Sequence, residues 1–108
     1  MTTETPRAED PPERRTVHDA RQRLEHERNS RLAQLAAVAE SGHHAADDLV
    51  KVQADTIRRL IGEIDLAFER LADGSYGICR RCGTDIPAER LEILPYARCC
   101  VTCQQRPA

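Results

Sequence analysis

The stretch Cys79-Arg80-Arg81-Cys82 is followed, after seventeen residues, by Cys100-Val101-Thr102-Cys103. In each stretch, two residues between the thiols allow one tight turn to direct both sulfur atoms at the same ion. Two such Cys-x-x-Cys pairs joined by a short loop have the spacing of a four-thiolate zinc site, with Zn–S bonds of about 2.3 Å. We therefore predict one structural zinc ion, bound by Cys79, Cys82, Cys100 and Cys103.

Cys99 is the fifth cysteine of the chain. A pair that began at Cys99 would read Cys-x-x-x-Cys, whereas Cys100 keeps the spacing of the first pair, so we assign Cys100 as the ligand. Cys99 is then expected to be a small buried side chain beside the site. Gly83, directly after Cys82, supplies the free backbone that a turn around a metal usually needs.

Disulfide bonds are the main alternative use of five cysteines, and they require an oxidising compartment. Residues 1–15 are polar, contain three prolines and lack the apolar segment of a signal peptide. No stretch approaches the eighteen apolar residues of a membrane span. We therefore expect a cytoplasmic protein with no membrane association and a metal site, with a redox or iron–sulfur role as the remaining alternative.

The composition limits both the size of the core and the class of function. The chain has 108 residues, one Phe, two Tyr and no Trp, which is enough for one small domain held by helix packing and a metal. Its net charge of −2 argues against a protein that coats DNA. Four thiolates leave no open position on zinc for a water, and no other catalytic set is apparent, so we do not expect an enzyme.

The fold class predicted is mainly α, with a long antiparallel helical hairpin followed by a small four-cysteine zinc finger. Residues 1–15 are interpreted as a disordered tail. Residues 16–73 form the hairpin, a coiled coil about 40 Å long at 1.5 Å rise per residue, with its tip near residues 41–48. Residues 74–108 form the zinc-finger module.

The hairpin prediction rests on two apolar patterns separated by the sequence Ser41-Gly42-His43-His44. The first helix should begin at Thr16, a possible N-cap with Asp19 three residues later, and continue to about residue 40. Its apolar positions are Val17, Leu24, Leu32, Leu35 and Ala39.

The second helix should run from about residue 45 to residue 72, and its apolar residues recur every seven positions, at Val50, Ile57, Ile64 and Leu71. Because the two patterns match in length, we expect them to pair within one monomer rather than in a dimeric coiled coil.

The finger should contain one short helix between its cysteine pairs. Pro87 suits a first helical turn, residues 88–94 form the helix, and Pro95 ends it. Only five residues follow Cys103, so we expect no substantial C-terminal helix.

Taken together, these motifs resemble the DksA/TraR family of zinc-finger proteins. The resemblance is carried by residues 73–79 (Asp-Gly-Ser-Tyr-Gly-Ile-Cys), residues 86–92 (Ile-Pro-Ala-Glu-Arg-Leu-Glu), Pro95 and the second cysteine pair. It covers the finger closely and the hairpin only in pattern. It implies a bacterial transcription regulator that binds RNA polymerase, with the hairpin in the secondary channel and the finger at the channel rim. Family members change the lifetime of promoter open complexes, often together with guanosine tetraphosphate, whose involvement here is left open.

The tip departs from the family pattern. Well-studied members have Asp-x-x-Asp-x-Ala there, whereas this chain has Asp47 and Asp48 side by side after two histidines. Adjacent residues point about 100° apart on a helix. Asp47 and Asp48 are the candidates for a tip directed at the polymerase active site. The alternative is that they only complement the dipole of the second helix.

Two further functions compete with the polymerase regulator. One is a nucleic-acid-binding zinc module, since the finger carries several arginines, although Asp85, Glu89 and Glu92 offset much of that charge. The other is a zinc-stabilised adaptor between proteins. We expect no direct sequence-specific DNA binding, because the chain as a whole is nearly neutral.

Overall fold

The computed structural model describes residues 12–41 and 47–106, with side chains for residues 17–40 and 48–106. These described residues contain four helices: α1 (Pro12–Ser41), α2 (Asp47–Asp73), α3 (Ala88–Ile93) and α4 (Val101–Gln105). The molecule is elongated, with extents of 64 × 35 × 22 Å. The fold class predicted from the sequence is confirmed, since α1 and α2 pack against each other and the four-cysteine finger follows them.

Helix α1 begins at Pro12 and not at Thr16, so the expected cap at Thr16 is wrong and residues 12–15 are helical. The physical reason is that proline fixes φ near its helical value and lacks only an N–H that would be unpaired in the first turn anyway. Residues 1–11, the rest of the predicted tail, lie outside the described residues. The same holds for residues 42–46 of the tip loop, including His43 and His44.

Helix α2 begins at Asp47 and ends at Asp73, close to the predicted end. Gly74 follows with a positive φ of 85°, a conformation that glycine adopts without strain. The N–H of Ser75 then donates to the carbonyl of Arg70 at 3.0 Å, as in a Schellman helix end. The Asp73 carboxylate also accepts bonds from the N–H and hydroxyl of Ser75, so the exit from α2 is fixed.

The main core lies at the base of the hairpin, next to the finger. Its buried members are Ala20 and Leu24 of α1 with Ile64, Ala67 and Leu71 of α2. Leu24 and Ile64 have no exposed side-chain surface. Burying each of them contributes about 1.5–3 kcal/mol. The core is closed by residues of the finger, because Tyr76 and Tyr96 pack against it.

Towards the tip, the hairpin is thinner. Ala54 and Ile57 of α2 are still buried, but Leu32 of α1 is 40% exposed and Leu49 of α2 is 57% exposed. An ion pair joins the helices midway, with Arg28 Nε 2.8 Å from an Asp65 oxygen. Both partners are largely solvated, so this pair adds little to stability and mainly fixes the register.

Two polar contacts attach the finger to the hairpin. Arg70 of α2 donates to the carbonyl of Tyr96 at 3.4 Å, and Arg98 Nη1 lies 3.7 Å from a Glu63 oxygen. Within the finger, the Tyr76 hydroxyl donates to the carbonyl of Pro95 at 2.7 Å. Helix α3 also contacts α1. The finger therefore sits on the base of the hairpin at a defined angle. Among the described residues, no helix is long and apolar enough to cross a bilayer.

Candidate metal centre

The first cysteine pair lies in a tight turn closed by backbone hydrogen bonds. The N–H of Gly83 donates to the carbonyl of Cys79 at 3.0 Å, and the N–H of Cys79 donates to the carbonyl of Thr84 at 2.8 Å. Gly83 has a φ of 79°, so the glycine expected from the sequence is required by the backbone. An isolated antiparallel bridge between Ile78 and Asp85 holds the two ends of the turn together.

The second pair stands at the start of α4. Cys100 is the N-cap residue of this helix, and Cys103 lies one turn further on. The N–H of Gln104 donates to the carbonyl of Cys100 at 2.9 Å. The second pair therefore lies at the start of a short helix, which has five residues and ends at Gln105, soon after Cys103.

The structure brings the four predicted thiols together. Their sulfur atoms all lie within 4.8 Å of one another. The sulfurs of Cys82 and Cys100 are 3.9 Å apart. A tetrahedron with Zn–S bonds of about 2.3 Å has edges of about 3.8 Å, so the arrangement fits one zinc ion. In the part of the chain with described side chains, no other group of His, Cys, Asp or Glu meets the criteria for a metal site.

The electrostatics of the site also fit a divalent cation. Backbone N–H groups of Cys82 and Cys100 lower the pKa of Cys79 to about 5. The hydroxyl and backbone of Thr84 lower the pKa of Cys82. Burial and the adjoining sulfurs instead raise the pKa of Cys103 to about 12. Four thiolates this close are stable together only with a cation between them, and Zn²⁺ supplies that charge.

Thr84 is a functional residue that the sequence reasoning missed. Its hydroxyl oxygen lies 2.9 Å from the Cys82 sulfur. Cys82 is the most exposed of the four thiols, so this contact shields and orients the sulfur that water reaches most easily. The only feature of the sequence that points to this role is the position of Thr84 two residues after Cys82, from which its hydroxyl can contact the sulfur of that cysteine.

Cys99 is buried beside the site but is not part of the four-sulfur group. It packs with Cys79, Ile86 and Cys103 in the small core of the finger. Burial raises the pKa of the Cys99 thiol, so this side chain is neutral and behaves as a small apolar group. Its carbonyl accepts a bond from Arg90 of α3 at 3.2 Å, which ties the short helix to the second cysteine pair.

The tip residues are only partly described. Asp47 is the first residue of α2, and the Asp48 side chain is exposed one residue later. Both acids therefore lie in the first turn of a helix, more than 20 residues from the first cysteine of the finger. The metal centre and the tip are at opposite ends of α2.

Comparison with known proteins agrees with this geometry. Residues 74–107 match the model of the prokaryotic dksA/traR C4-type zinc finger. The RNA polymerase-binding transcription factor DksA of Caulobacter vibrioides is 46% identical over 52 residues, which are 48% of this chain and 37% of that protein. General stress protein 16O of Bacillus subtilis is 47% identical over 47 residues, 44% of this chain and 29% of that protein. The chain thus spans about a third of the length of these relatives.

The fold extends the likeness beyond the finger. The structure of transcription factor DksA2 from Pseudomonas aeruginosa superposes with a TM-score of 0.71, over 92% of this chain and 86% of that one, at 22% identity. Residues 74–107 thus match a DksA/TraR C4-type zinc finger, and this finger lies at the base of a helical hairpin whose fold is similar to that of DksA2. The resemblance predicted from the sequence is confirmed, as is a single zinc ion as cofactor.

Proposed function

We propose that this chain binds RNA polymerase and regulates transcription initiation by placing its hairpin in the secondary channel of the enzyme. The observation that carries the proposal is a DksA/TraR finger held at a fixed angle on a hairpin of DksA-like fold. Relatives that match the finger are named RNA polymerase-binding transcription factors. We therefore propose that the zinc ion is structural and that the chain acts on a partner protein instead of catalysing a reaction.

The zinc centre fixes the base of the molecule in this proposal. We assign Cys79, Cys82, Cys100 and Cys103 as the ligands, because their sulfurs cluster as a tetrahedral site needs. A closed four-thiolate shell stabilises the fold and leaves no position for substrate. The finger then offers a rigid surface to the channel rim.

In this proposal, the length of the hairpin determines how far the molecule extends into the channel. Helix α2 has 27 residues, which is about 40 Å of helix at 1.5 Å rise per residue. A single narrow arm of this kind fits a channel better than a wide surface does, so we propose that the chain acts as a monomer. Size-exclusion chromatography with light scattering measures this directly.

The tip supplies the effect on transcription. Asp47 and Asp48 lie in the first turn of α2, and carboxylates carried to the polymerase active site would act on its magnesium through charge. The shaft and the finger have most of the surface that can contact polymerase. Binding and regulation should therefore separate along the molecule.

The test compares two double variants with the parent chain. Asp47→Asn with Asp48→Asn removes two charges at the tip and keeps the shape of the side chains. Glu25→Gln with Asp55→Asn removes two charges from exposed positions on the shaft and serves as the control. We expect all three proteins to bind purified polymerase, and only the tip variant to lose the effect on open-complex lifetime in vitro.

The outcomes test separately whether the chain binds polymerase and whether the tip acids cause its effect on initiation. A parent chain that fails to bind polymerase would overturn the proposed function. A tip variant as active as the parent would reduce Asp47 and Asp48 to charges that complement the helix dipole. Repeating the assay with guanosine tetraphosphate shows whether that nucleotide participates. DNA binding without polymerase, falling steeply with salt, would instead favour a nucleic-acid-binding zinc module.

A further inference from the structure

Gly62 is an exposed glycine in the middle of α2 that packing within the chain does not explain. Glycine is the least favourable helix residue after proline. A common reason for keeping one is a neighbour that comes too close for a side chain. Here a Cβ atom at Gly62 would meet nothing within 4 Å beyond the adjoining part of its own helix. The space above Gly62 is therefore open to a group from another molecule.

Gly62 belongs to a stripe of exposed residues on α2. The members follow one another at alternating steps of four and three residues, which is the spacing of a helix-packing seam. All six are exposed, namely Asp48, Val52, Asp55, Arg59, Gly62 and Leu66. Residues two apart on a helix point about 200° apart, so Asp55 and Arg59 lie opposite the buried Ile57. We call this stripe, which points away from α1, the outer face of α2.

The outer face combines exposed apolar surface with weakly held charges. Val52 and Leu66 have 62% and 44% of their surface exposed. Asp55 lies 3.3 Å from Arg58, but these side chains are 69% and 63% exposed, so the ion pair contributes little. The Arg59 side chain has no ion pair or hydrogen bond among the described residues. One carboxylate and one guanidinium on this face are therefore available to a partner.

The outer face is complementary to a second copy of itself. Residue 57 is midway between Val52 and Gly62, and it is also midway between Asp55 and Arg59. A two-fold axis at the level of residue 57 would relate two antiparallel α2 helices. Val52 of each chain would then lie over Gly62 of the other, and Asp55 of each chain would lie opposite Arg59 of the other. In such an isologous pair every contact is made twice.

We propose that the outer face of α2 is a self-association surface, on which a second copy of this chain packs antiparallel. The missing side chain at Gly62 lets the two helices come close, and Val52 of the other chain fills the space. Charge selects the antiparallel arrangement, because a parallel pair in register would place Asp55 against Asp55 and Arg59 against Arg59. The contact is short and partly polar, so the pair is transient, with a dissociation constant on the order of 10–100 µM.

This pairing goes beyond the proposed function and does not depend on it. Two paired shafts are wider than one narrow arm, so the monomer is the form that would enter a channel. Pairing would then withhold the chain from polymerase at high concentration only. At the nanomolar concentrations of a transcription assay the pair is dissociated, and the control variant with Asp55→Asn keeps its purpose.

Sedimentation equilibrium of the zinc-loaded full chain, from about 1 µM to about 1 mM, tests the pairing. We expect a reversible equilibrium between monomer and dimer. An amine-reactive cross-linker reports the register, because Lys51 is the only lysine of the chain. With the axis at residue 57, the two Lys51 positions are separated by about 18 Å along the helices, at 1.5 Å rise per residue. A cross-linker of that reach should join Lys51 to Lys51.

Two substitutions at Gly62 separate pairing from folding. Gly62→Leu places a bulky side chain between the helices and should weaken pairing by at least an order of magnitude. Gly62→Ala should raise the melting temperature, because alanine favours the helix, and should still weaken pairing severalfold. A purely local role of Gly62 would not move the two measurements in opposite directions. Ala36→Leu adds comparable bulk at an exposed position of α1 and is the control, with unchanged pairing.

Charge reversal tests the register a second time. Asp55→Arg and Arg59→Asp each place like charges opposite one another and should each weaken pairing on the order of tenfold. The double variant exchanges the two charges and so restores opposite charges across the axis. It should recover most of the affinity of the parent chain.

Several results would overturn the proposal. One is a chain that stays monomeric at every concentration. Another is a dimer that Gly62→Leu and Ala36→Leu affect equally, and a third is a double charge variant that pairs no better than either single one. A monomeric chain whose Gly62→Leu variant loses polymerase binding would assign the outer face to polymerase. Because sedimentation needs no polymerase, failure of the pairing leaves the proposed function standing.

Discussion

Cys99 and Cys100 are neighbours in the sequence with opposite surroundings. Cys99 is buried in the apolar core of the finger, where burial raises the pKa of its thiol. The Cys100 sulfur lies 3.9 Å from the Cys82 sulfur and belongs to the four-sulfur group. A shift of one residue along an extended segment turns a side chain to the other face, so only one of the two can point at the metal.

The first prediction separates these two thiols. Cys100→Ala should lose stoichiometric zinc, because three thiolates remain and the shell is open to water. Cys99→Ala should retain one zinc per chain and lose about 1 kcal/mol of stability or slightly more, from a small cavity in the finger core. Zinc content by native mass spectrometry measures both. Retention of zinc by Cys100→Ala together with loss by Cys99→Ala would reverse the assignment.

At the level of elements, α1 and α2 contribute unequally to the hairpin. Helix α2 buries five apolar residues along its length, namely Ala54, Ile57, Ile64, Ala67 and Leu71. Of the described side chains of α1, only Ala20 and Leu24 are buried. Leu32 lies on the same predicted apolar face of α1 but is 40% exposed. The hairpin is therefore held mainly at its base, and the arm is a lightly packed extension.

The second prediction compares two identical substitutions on α1. Leu24→Ala removes a side chain with no exposed surface and should lower the free energy of unfolding by about 2–5 kcal/mol. Leu32→Ala, one heptad and one residue further along α1, should lower the free energy of unfolding by less than about 1 kcal/mol, because much of the Leu32 side chain is exposed in the folded protein. Urea denaturation of the zinc-loaded proteins gives both values. Equal costs would mean that the arm is packed as tightly as the base.

At the level of the whole molecule, the zinc finger and the hairpin share a core. Tyr76 and Tyr96 come from the finger but pack against the buried cluster at the hairpin base, which contains Leu24 and Ile64. The Tyr76 hydroxyl bonds to the carbonyl of Pro95, so the two tyrosine segments also support each other. Loss of the metal should therefore also destabilise the part of the hairpin that lies nearest the finger.

The third prediction follows the removal of zinc by a chelator. Structural zinc in small modules contributes on the order of 10 kcal/mol of apparent binding energy, so the finger should unfold. Tyr76 and Tyr96 are the only tyrosines and the chain has no Trp, which makes tyrosine fluorescence a direct reporter of the shared core. We expect a change in that signal, a lower melting temperature and partial retention of helix. An unchanged melting temperature would show that the hairpin does not depend on the finger.

The sequence by itself determined the features that depend on local spacing. The two Cys-x-x-Cys pairs, Gly83, the short helix between Pro87 and Pro95 and the heptads of α2 all follow from how near neighbours along a chain meet. The periodicity of α1 predicted the burial of Leu24, but Leu32 and Ala39, which it placed on the same apolar face, are exposed. A pattern indicates which residues share a face and not how much of that face a partner covers. The start of α1 at Pro12 was missed because Thr16 looked like a cap.

Only the tertiary structure decided what distant segments do together. Arg70 lies on α2, Arg80 in the first cysteine turn and Arg98 before the second, and nothing in their spacing predicts that they line one cleft. The same holds for Thr84 beside the Cys82 sulfur and for the two tyrosines on the hairpin core. The physical reason is that metal binding and helix packing fix the angle between the finger and the hairpin. This angle determines which side chains from distant parts of the sequence come into contact.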